Sequence, residues 1–243
     1  PEILIAGCGT GKHSLTTATR FANSKVLAVD LSLNSLSYAL RKTKELAVEN
    51  IEYMQADILK LKELNRKFDL IECTGVLHHM EKPLEGWRIL VDLLRSGGLM
   101  KIGLYSEIAR QHIIEMRTVI HEGKYDASPE AIRQFRAEVM DSETNAIASG
   151  CLSAKDFYSL SSCRDLLFHV QEHRFTLPEI ETALESLGAE FIGFELTNPQ
   201  IKNNFQEINP GNEALTSLSH WHQFEQNNTD TFAGMYQFWV QKI

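Results

Sequence analysis

Short apolar runs alternate with helix-like stretches along the first half of the chain. Each run is five or six residues long and reads as a strand, because apolar residues dominate it and polar or glycine residues bound it. The predicted strands are Glu2–Ala6, Lys25–Val29, Ile51–Gln55, Phe68–Cys73 and Leu99–Leu104. Strands that alternate with helices of this length indicate right-handed crossover connections and therefore a parallel sheet.

The segments between these runs carry helix signals. One helix is expected around Ser14–Ala22. Ser32 or Asn34 can cap the next, whose leucines recur at helical spacing on one face. A third is expected from about Leu84 to Leu94, and Gly97-Gly98 is expected to end it.

The chain returns to the sheet late in its second half. Thr176-Leu177-Pro178-Glu179 predicts a capping box at the start of a helix, which Gly188 ends. Two further strand candidates, Ala189–Leu196 and Phe232–Val240, are rich in aromatic and β-branched residues. Two insertions, both expected to be largely helical, interrupt the sheet at residues 106–175 and 197–230.

The pattern predicts one α/β domain over residues 1–243. Its core would comprise residues 1–105, 176–196 and 231–243, with a helical cap at 106–175 and a second insertion at 197–230. The chain opens on a strand and has no initiator methionine, so we expect it to be a fragment that lacks upstream residues.

Composition narrows the function classes. The 24 Lys and Arg against 32 Asp and Glu give a net charge of −8, which disfavours a basic nucleic-acid-binding domain. The excess acid lies in residues 176–243. Without an apolar run of roughly 20 residues, no membrane span is predicted. The four cysteines form no CxxC pair, which indicates a reduced, cytoplasmic chain with neither a disulfide framework nor a metal site.

A glycine-rich loop, Gly7-Cys8-Gly9-Thr10-Gly11, follows the first strand. Such a loop lets an extended polar ligand approach the backbone, and the next helix offers it free N–H groups. A dinucleotide fingerprint would need a small residue in place of Lys12. A phosphate-binding loop would need glycine at Ala6 and Ser or Thr at His13. Neither pattern fits this loop, in which Gly7, Gly9 and Gly11 have the spacing G-x-G-x-G.

Further motifs accompany this loop. Asp30 closes the second strand, where an acid can accept hydrogen bonds from ribose hydroxyls, a placement that alone would also suit NAD. Asp57 closes the third strand, and Phe68–Met80 carries Leu77-His78-His79 after the fourth. With Leu94–Leu99, these motifs resemble class I S-adenosylmethionine-dependent methyltransferases. The chain is most similar to bacterial methyltransferase domains of the type 12 kind, some of which are linked to tetratricopeptide repeats.

The resemblance implies a Rossmann-like, seven-stranded, mostly parallel sheet with a reversed C-terminal strand and a helical cap. It implies S-adenosylmethionine as cofactor and S-adenosylhomocysteine as product. The glycines would hold the methionine end, Asp30 the ribose, Asp57 with Ile58 the adenine, and Thr74-Gly75 would lie beside the transferable methyl group. The residues assigned to the cofactor are Gly7, Gly9, Gly11, Asp30, Leu31, Asp57, Ile58, Cys73, Thr74 and Gly75.

Histidines are the candidates for catalysis. His78 and His79 follow the fourth strand, near where a methyl acceptor must lie, and a neutral imidazole can act as a base near pH 7. The alternative is that one histidine packs under the following helix and the other shapes the cofactor pocket. His169 and His173 have a spacing that would place them on one helix face, for metal binding, pocket lining or packing. Around Trp221, a substrate clamp or a small aromatic core is possible.

We expect an enzyme that transfers methyl groups to an unidentified acceptor. The Leu-His-His resemblance and the bulky cap slightly favour a small molecule, whereas the acidic C-terminal part would suit a lysine-bearing protein. A cofactor-binding module without turnover is a further alternative, because many relatives carry an acid just before the first glycine where this chain has Ala6. Neither nucleic acid nor membrane is expected as a partner. An upstream repeat domain is expected in the full-length chain.

Overall fold

A seven-stranded mixed sheet organises the larger part of the computed structural model, which describes residues 1–141, 151–152, 154–169 and 171–243. The strands are β1 (Glu2–Ala6), β2 (Lys25–Asp30), β3 (Ile51–Gln55), β4 (Phe68–Thr74), β5 (Leu94–Tyr105), β6 (Ala189–Phe194) and β7 (Met235–Lys242). Their order is β3-β2-β1-β4-β5-β7-β6, and β7 is antiparallel to both of its neighbours. The predicted fold, a mostly parallel Rossmann-like sheet with a reversed C-terminal strand, is confirmed.

The helices connect these strands as the sequence pattern predicts. They are α1 (Lys12–Arg20), α2 (Leu33–Glu45), α3 (Pro83–Leu93), α4 (Gln111–Glu122), α5 (Pro129–Asp141), α6 (Leu160–Leu167), α7 (Leu177–Leu187), α8 (Pro199–Ile208) and α9 (Leu218–Asn227). Short 3₁₀ turns occupy Ile58–Leu64, Leu77–His79, Lys155–Tyr158 and Glu213–Thr216. Within the described ranges, no helix is both long and apolar enough to cross a bilayer.

The described residues divide into two units. One comprises residues 1–106 and 173–243 and contains the whole sheet, and the other comprises residues 107–172. The predicted cap, residues 106–175, corresponds to the second unit with slightly wider bounds. Residues 142–150, 153 and 170 of that cap lie outside the described residues. The second unit is largely helical, with its own buried apolar cluster that includes Met116, Phe135 and Phe157.

Local sequence signals set several element ends. Ser32 caps α2 by accepting a hydrogen bond from the N–H of Ser35. At the start of α7, Thr176 and Glu179 form both bonds of the predicted capping box, and Gly188 ends this helix in a left-handed conformation at φ +64°. These confirmed predictions depend only on residues that are close in sequence, which is why the sequence pattern suffices for them.

Two predicted strand starts are wrong, those of β5 and β7. The helix α3 ends at Leu93, and Gly97-Gly98 lies inside β5, because Leu94 already pairs with Phe68 of β4. The register of that pairing shifts between Phe68 and Leu70, so the glycines accommodate an irregularity in the strand. The strand β7 begins at Met235 rather than Phe232, because Phe232 packs in an aromatic cluster before the chain turns.

Two expectations about the second half have different outcomes. The helix that was to carry His169 and His173 on one face is wrong, since α6 ends at Leu167 and both histidines follow it in irregular backbone. The aromatic core around Trp221 is confirmed: its ring stacks on Phe205 at 3.7 Å between centroids, and both side chains are buried. Among the described residues, no group of three or more His, Cys, Asp or Glu side chains could hold a metal ion.

Candidate cofactor-binding site

The glycine-rich loop leaves β1 and folds back against the end of β2. The N–H groups of Gly7 and Cys8 both donate to the carbonyl oxygen of Val29, at 2.8 and 2.9 Å. Gly7 has φ +78°, and a Cβ atom there would lie 2.2 Å from Val76 Cγ2. An L-residue would therefore meet both backbone strain and a clash, so the close approach of loop and Val76 requires glycine at this position.

Asp30 ties the loop to the end of β2. The N–H of Gly9 donates to Asp30 Oδ2, and the N–H of Ser32 donates to Asp30 Oδ1, each at 2.8 Å. Each carboxylate oxygen has two lone-pair sites, so each retains one for a ligand hydroxyl. A Cβ at Gly9 would meet nothing within 4 Å, which leaves open space beside this part of the loop. The Asp30 carboxylate is thus held in place and still able to accept.

Asp57 occupies the corresponding position after β3. Its Oδ1 accepts from the N–H of Leu59 at 2.9 Å, so it caps the 3₁₀ turn that follows. Within the described residues, Asp57 Oδ2 makes no hydrogen bond. One oxygen therefore fixes the side chain and the other can receive a donor such as an exocyclic amino group.

A cleft of about 140 Å³ lies between these two carboxylates. Its apolar walls and two acids suit a purine nucleoside, which offers an aromatic ring, an amino group and ribose hydroxyls. Leu31 stands at the cleft with 68% of its surface exposed. The lining residues are Gly7, Val29, Asp30, Leu31, Ala56, Asp57, Ile58, Val76 and Met80.

The cleft brings together half of the residues assigned to the cofactor. These are Gly7, Asp30, Leu31, Asp57 and Ile58. Sequence reasoning missed four lining residues, namely Val29, Ala56, Val76 and Met80. Val29, Ala56 and Val76 are within two residues of a strand end, and Met80 follows the 3₁₀ turn after β4, but apolar residues at such places have no motif of their own.

The end of β4 contributes three assigned residues, which differ in accessibility. Cys73 is fully buried in the core, and burial raises the pKa of its thiol to about 12, so it can offer a ligand only its backbone. Thr74 Oγ1 is buried and has no hydrogen-bond partner among the described residues. Gly75 follows at φ +78°, and a Cβ there would meet nothing within 4 Å. Within the described part of the chain, this strand end therefore carries a hydroxyl without a hydrogen-bond partner at Thr74 and has space beside the backbone at Gly75.

The two candidate catalytic histidines lie in the 3₁₀ turn after β4. His78 is fully buried, and its ring stacks on Tyr105 at 3.7 Å between centroids. His79 is half-buried and meets Tyr105 edge-on at 5.6 Å. The N–H of His173 donates to the carbonyl oxygen of His78 at 2.7 Å. His173 thus lies beside this turn, and Tyr105, at the end of β5, is a neighbour that sequence reasoning missed.

Sequence reasoning also missed a buried carboxylate, Glu72. Glu72 lies within β4 and is only 5% exposed, yet its Oε2 lies 2.6 Å from His13 Nε2 and accepts from Thr17 Oγ1 at 2.9 Å. Burial acts to raise the pKa of Glu72, but the hydrogen bonds from His13 and Thr17 and the charge of Lys101 outweigh it. The net result is a lowered pKa, so Glu72 is a carboxylate at neutral pH.

Comparison with known proteins relates the part of the chain that carries this site to a family model. Residues 3–98 match the family model described as "Methyltransferase domain". An uncharacterized protein of Synechococcus sp. is 27% identical over 237 residues, which cover 92% of this chain and 56% of that protein. The ubiquinone biosynthesis O-methyltransferase of Rickettsia canadensis is 29% identical over 113 residues, 46% of each chain. The chain spans about half the length of these curated relatives.

Solved structures show the same fold. PKMT2 from Rickettsia typhi in complex with AdoHcy superposes with a TM-score of 0.71 at 20% identity, over 98% of this chain and 48% of that chain. Magnesium protoporphyrin IX methyltransferase from Synechocystis PCC 6803, with bound SAH, gives 0.53 at 14% identity, over 99% and 74%. The predicted fold is thereby confirmed, and the family match over residues 3–98 agrees with the predicted methyltransferase class. Residues 3–98 therefore belong to the methyltransferase-domain family, and the chain as a whole has the fold of these solved structures.

Proposed function

We propose that the chain binds S-adenosylmethionine in the cleft between Asp30 and Asp57 and transfers its methyl group to a small-molecule acceptor. The observation that carries the binding site is that two strand-end carboxylates with spare acceptor capacity flank one apolar cleft beside the glycine loop. Asp30 receives the ribose hydroxyls, and Asp57 with Ile58 receives the adenine.

The remaining assigned residues serve the other end of the cofactor. Gly9 and Gly11 hold the methionine portion at the start of α1, whose N-cap is Gly11 and whose first turn has no side-chain cap. Backbone N–H groups at such a helix start suit a carboxylate. Thr74 and Gly75, where a buried hydroxyl and open space coincide, lie beside the transferable methyl group.

The protein's contribution to methyl transfer is mainly alignment. The cofactor, when bound, supplies a methyl group on a positively charged sulfur, which is already reactive. The chain's residues need to hold donor and acceptor in line and exclude water. His79, half-buried at the end of the turn after β4, is the candidate to take a proton from the acceptor. The complete burial of His78 against Tyr105 favours a packing role for that ring.

A second cavity supports a small-molecule acceptor. It measures about 600 Å³, within the range of small-molecule sites, and its lining is mainly apolar. His173, which bonds to the backbone of His78, lines it together with Pro83, Phe175 and residues of α7. A lysine-bearing protein acceptor is the second candidate, supported by the 9 acidic against 2 basic residues of segment 176–243.

Calorimetry with S-adenosylmethionine and S-adenosylhomocysteine tests the proposal first, and lack of binding by both would overturn it. Turnover is then followed as S-adenosylhomocysteine release with two fractions of a bacterial extract, small molecules and macromolecules. Release with the small-molecule fraction is the expected result. Release with macromolecules alone would favour the protein acceptor, and binding without release in either fraction would favour a module that binds cofactor without turnover.

A further inference from the structure

Glu72 is a buried charge that neither the sheet nor the proposed roles explain. A carboxylate inside a sheet loses its hydration, a cost that only close partners offset. Its partners, His13 and Thr17, come from α1, the helix that starts at the glycine loop. In the parallel register of β1 and β4, Glu72 lies opposite Ile5, two residues before Gly7. The buried charge therefore lies next to the base of the loop.

The proposed ligand needs a negative partner near this loop. The methionine end of the cofactor carries a carboxylate and an ammonium group, and the first turn of α1 suits only the carboxylate. Residues 5–14 contain no acidic side chain. Both oxygens of Asp30 already hold backbone N–H groups and face the ribose in the proposed arrangement. Glu72 is the carboxylate that β4 brings closest in register to the loop's start.

Glu72 and His13 differ in how accessible they are to a ligand. The Glu72 side chain is 6% exposed, so a ligand cannot reach it easily, whereas the His13 side chain is 37% exposed. Donation of Nε2–H from His13 to Glu72 leaves His13 Nδ1 as an acceptor. Within the described part of the chain, that nitrogen has no hydrogen-bond partner. A carboxylate behind a histidine fixes the tautomer and orientation of its ring.

We propose that His13 accepts a hydrogen bond from the ammonium group of bound S-adenosylmethionine and that Glu72 is the positioning residue behind it. The pair supplies the negative charge that the glycine loop lacks at Ala6. Thr17 completes the arrangement by holding the same oxygen of Glu72 that His13 contacts. This inference rests on the proposed cofactor site.

The test compares three ligands by calorimetry: S-adenosylhomocysteine, its analogue without the amino group and its analogue without the carboxylate. The variants His13→Gln and Glu72→Gln are expected to bind S-adenosylhomocysteine roughly ten- to hundredfold more weakly, as loss of a charge-assisted hydrogen bond implies. Their affinity for the amino-free analogue is expected to match that of the native chain. His121→Ala, at an exposed histidine, and Glu52→Gln, at an exposed carboxylate, are matched controls without effect.

The outcomes separate this inference from the proposed function. If the native chain binds none of the three ligands, the cofactor site itself fails. If it binds them and the His13 variant loses equal affinity for all, or loses affinity only for ligands that keep the carboxylate, the ammonium contact is wrong. Thermal unfolding shows whether Glu72→Gln remains folded. If Glu72→Gln does not remain folded, His13→Gln, at a half-exposed position, provides the test of the ammonium contact.

Discussion

Asp30 and Gly9 are joined by a 2.8 Å hydrogen bond from the backbone N–H of the glycine to the carboxylate. The residue proposed to bind the ribose therefore also holds the loop proposed to bind the methionine end. Because one side chain serves both purposes, its removal should affect the two halves of the cofactor together.

The first prediction follows from that bond. Asp30→Ala should weaken binding of S-adenosylhomocysteine by about ten- to hundredfold, because it removes a charged acceptor and frees the loop. Adenosine alone should also bind more weakly, as measured by calorimetry. Asp165→Ala, at an exposed aspartate of the second unit, is the control. Unchanged affinity for both ligands would refute the assignment of Asp30.

The second prediction concerns the contact between Gly7 and Val76. Gly7→Ala should lower the free energy of unfolding by about 1–3 kcal/mol, from a positive φ and an overpacked contact, and should weaken cofactor binding. Replacing Val76 with Ala in the same chain should recover part of the stability, because the added Cβ meets the methyl groups of Val76. Denaturant unfolding measures both effects.

Gly188→Ala provides a matched control for that experiment. Gly188 also has positive φ, but a Cβ there would meet nothing within 4 Å. Its variant should show the backbone strain alone, with cofactor affinity unchanged and no recovery when Val76 is replaced. Equal losses in the Gly7 and Gly188 variants would contradict the clash.

How far the sequence predicts this molecule depends on how local each signal is. The bounds of β1 to β4, the capping box and the glycine loop are set by neighbouring residues, and these predictions agree with the structure within one residue. The start of β5 does not, because Gly97-Gly98 resembles a helix end and only the pairing of Leu94 with Phe68 reveals the strand. Glu72 was likewise missed, since a lone acid in an apolar run gives no sign of a histidine 59 positions earlier.

The candidate site shows the same division. Asp30 was predicted from its place at a strand end and Asp57 from the family resemblance, and both lie where parallel strands converge on one edge of the sheet. The difference between His78 and His79 was not predictable, because these adjacent residues have the same chemistry. The complete burial of His78 and the stacking of its ring on Tyr105 distinguish it from His79.

The third prediction addresses His79. His79→Ala should reduce turnover by about 100-fold or more if its imidazole removes a proton during transfer, while the affinity for S-adenosylhomocysteine stays unchanged. Free imidazole added to the assay should restore part of the rate, which loss of packing would not permit. His220→Ala, at an exposed histidine of α9, is the control. Full activity in the His79 variant would remove this residue from the reaction.

The fourth prediction is a pH dependence of stability at Glu225. Burial raises the pKa of this carboxyl, although hydrogen bonds from His222 and Tyr236 partly oppose the shift. Because the folded chain holds this proton more tightly than the unfolded chain, stability falls as pH rises from about 4.5 through the folded-state pKa. Glu225→Gln should remove this dependence, so its Tm relative to the native chain should be higher at pH 7 than at pH 4. Glu181→Gln, at an exposed position of α7, should show no such trend.

The fifth prediction tests whether the larger cavity receives the acceptor. Thr182 is an exposed residue of α7 that lines this cavity, so Thr182→Trp should fill it without disturbing the core. Turnover with the small-molecule fraction should fall at least about tenfold, since a pocket blocked by an indole ring loses most of its binding contacts. Binding of S-adenosylhomocysteine should be unchanged, because Thr182 does not line the cofactor cleft. Glu181→Trp adds the same bulk one residue away, outside the cavity lining, and should leave the rate intact. Equal rates in the two tryptophan variants would place the acceptor elsewhere.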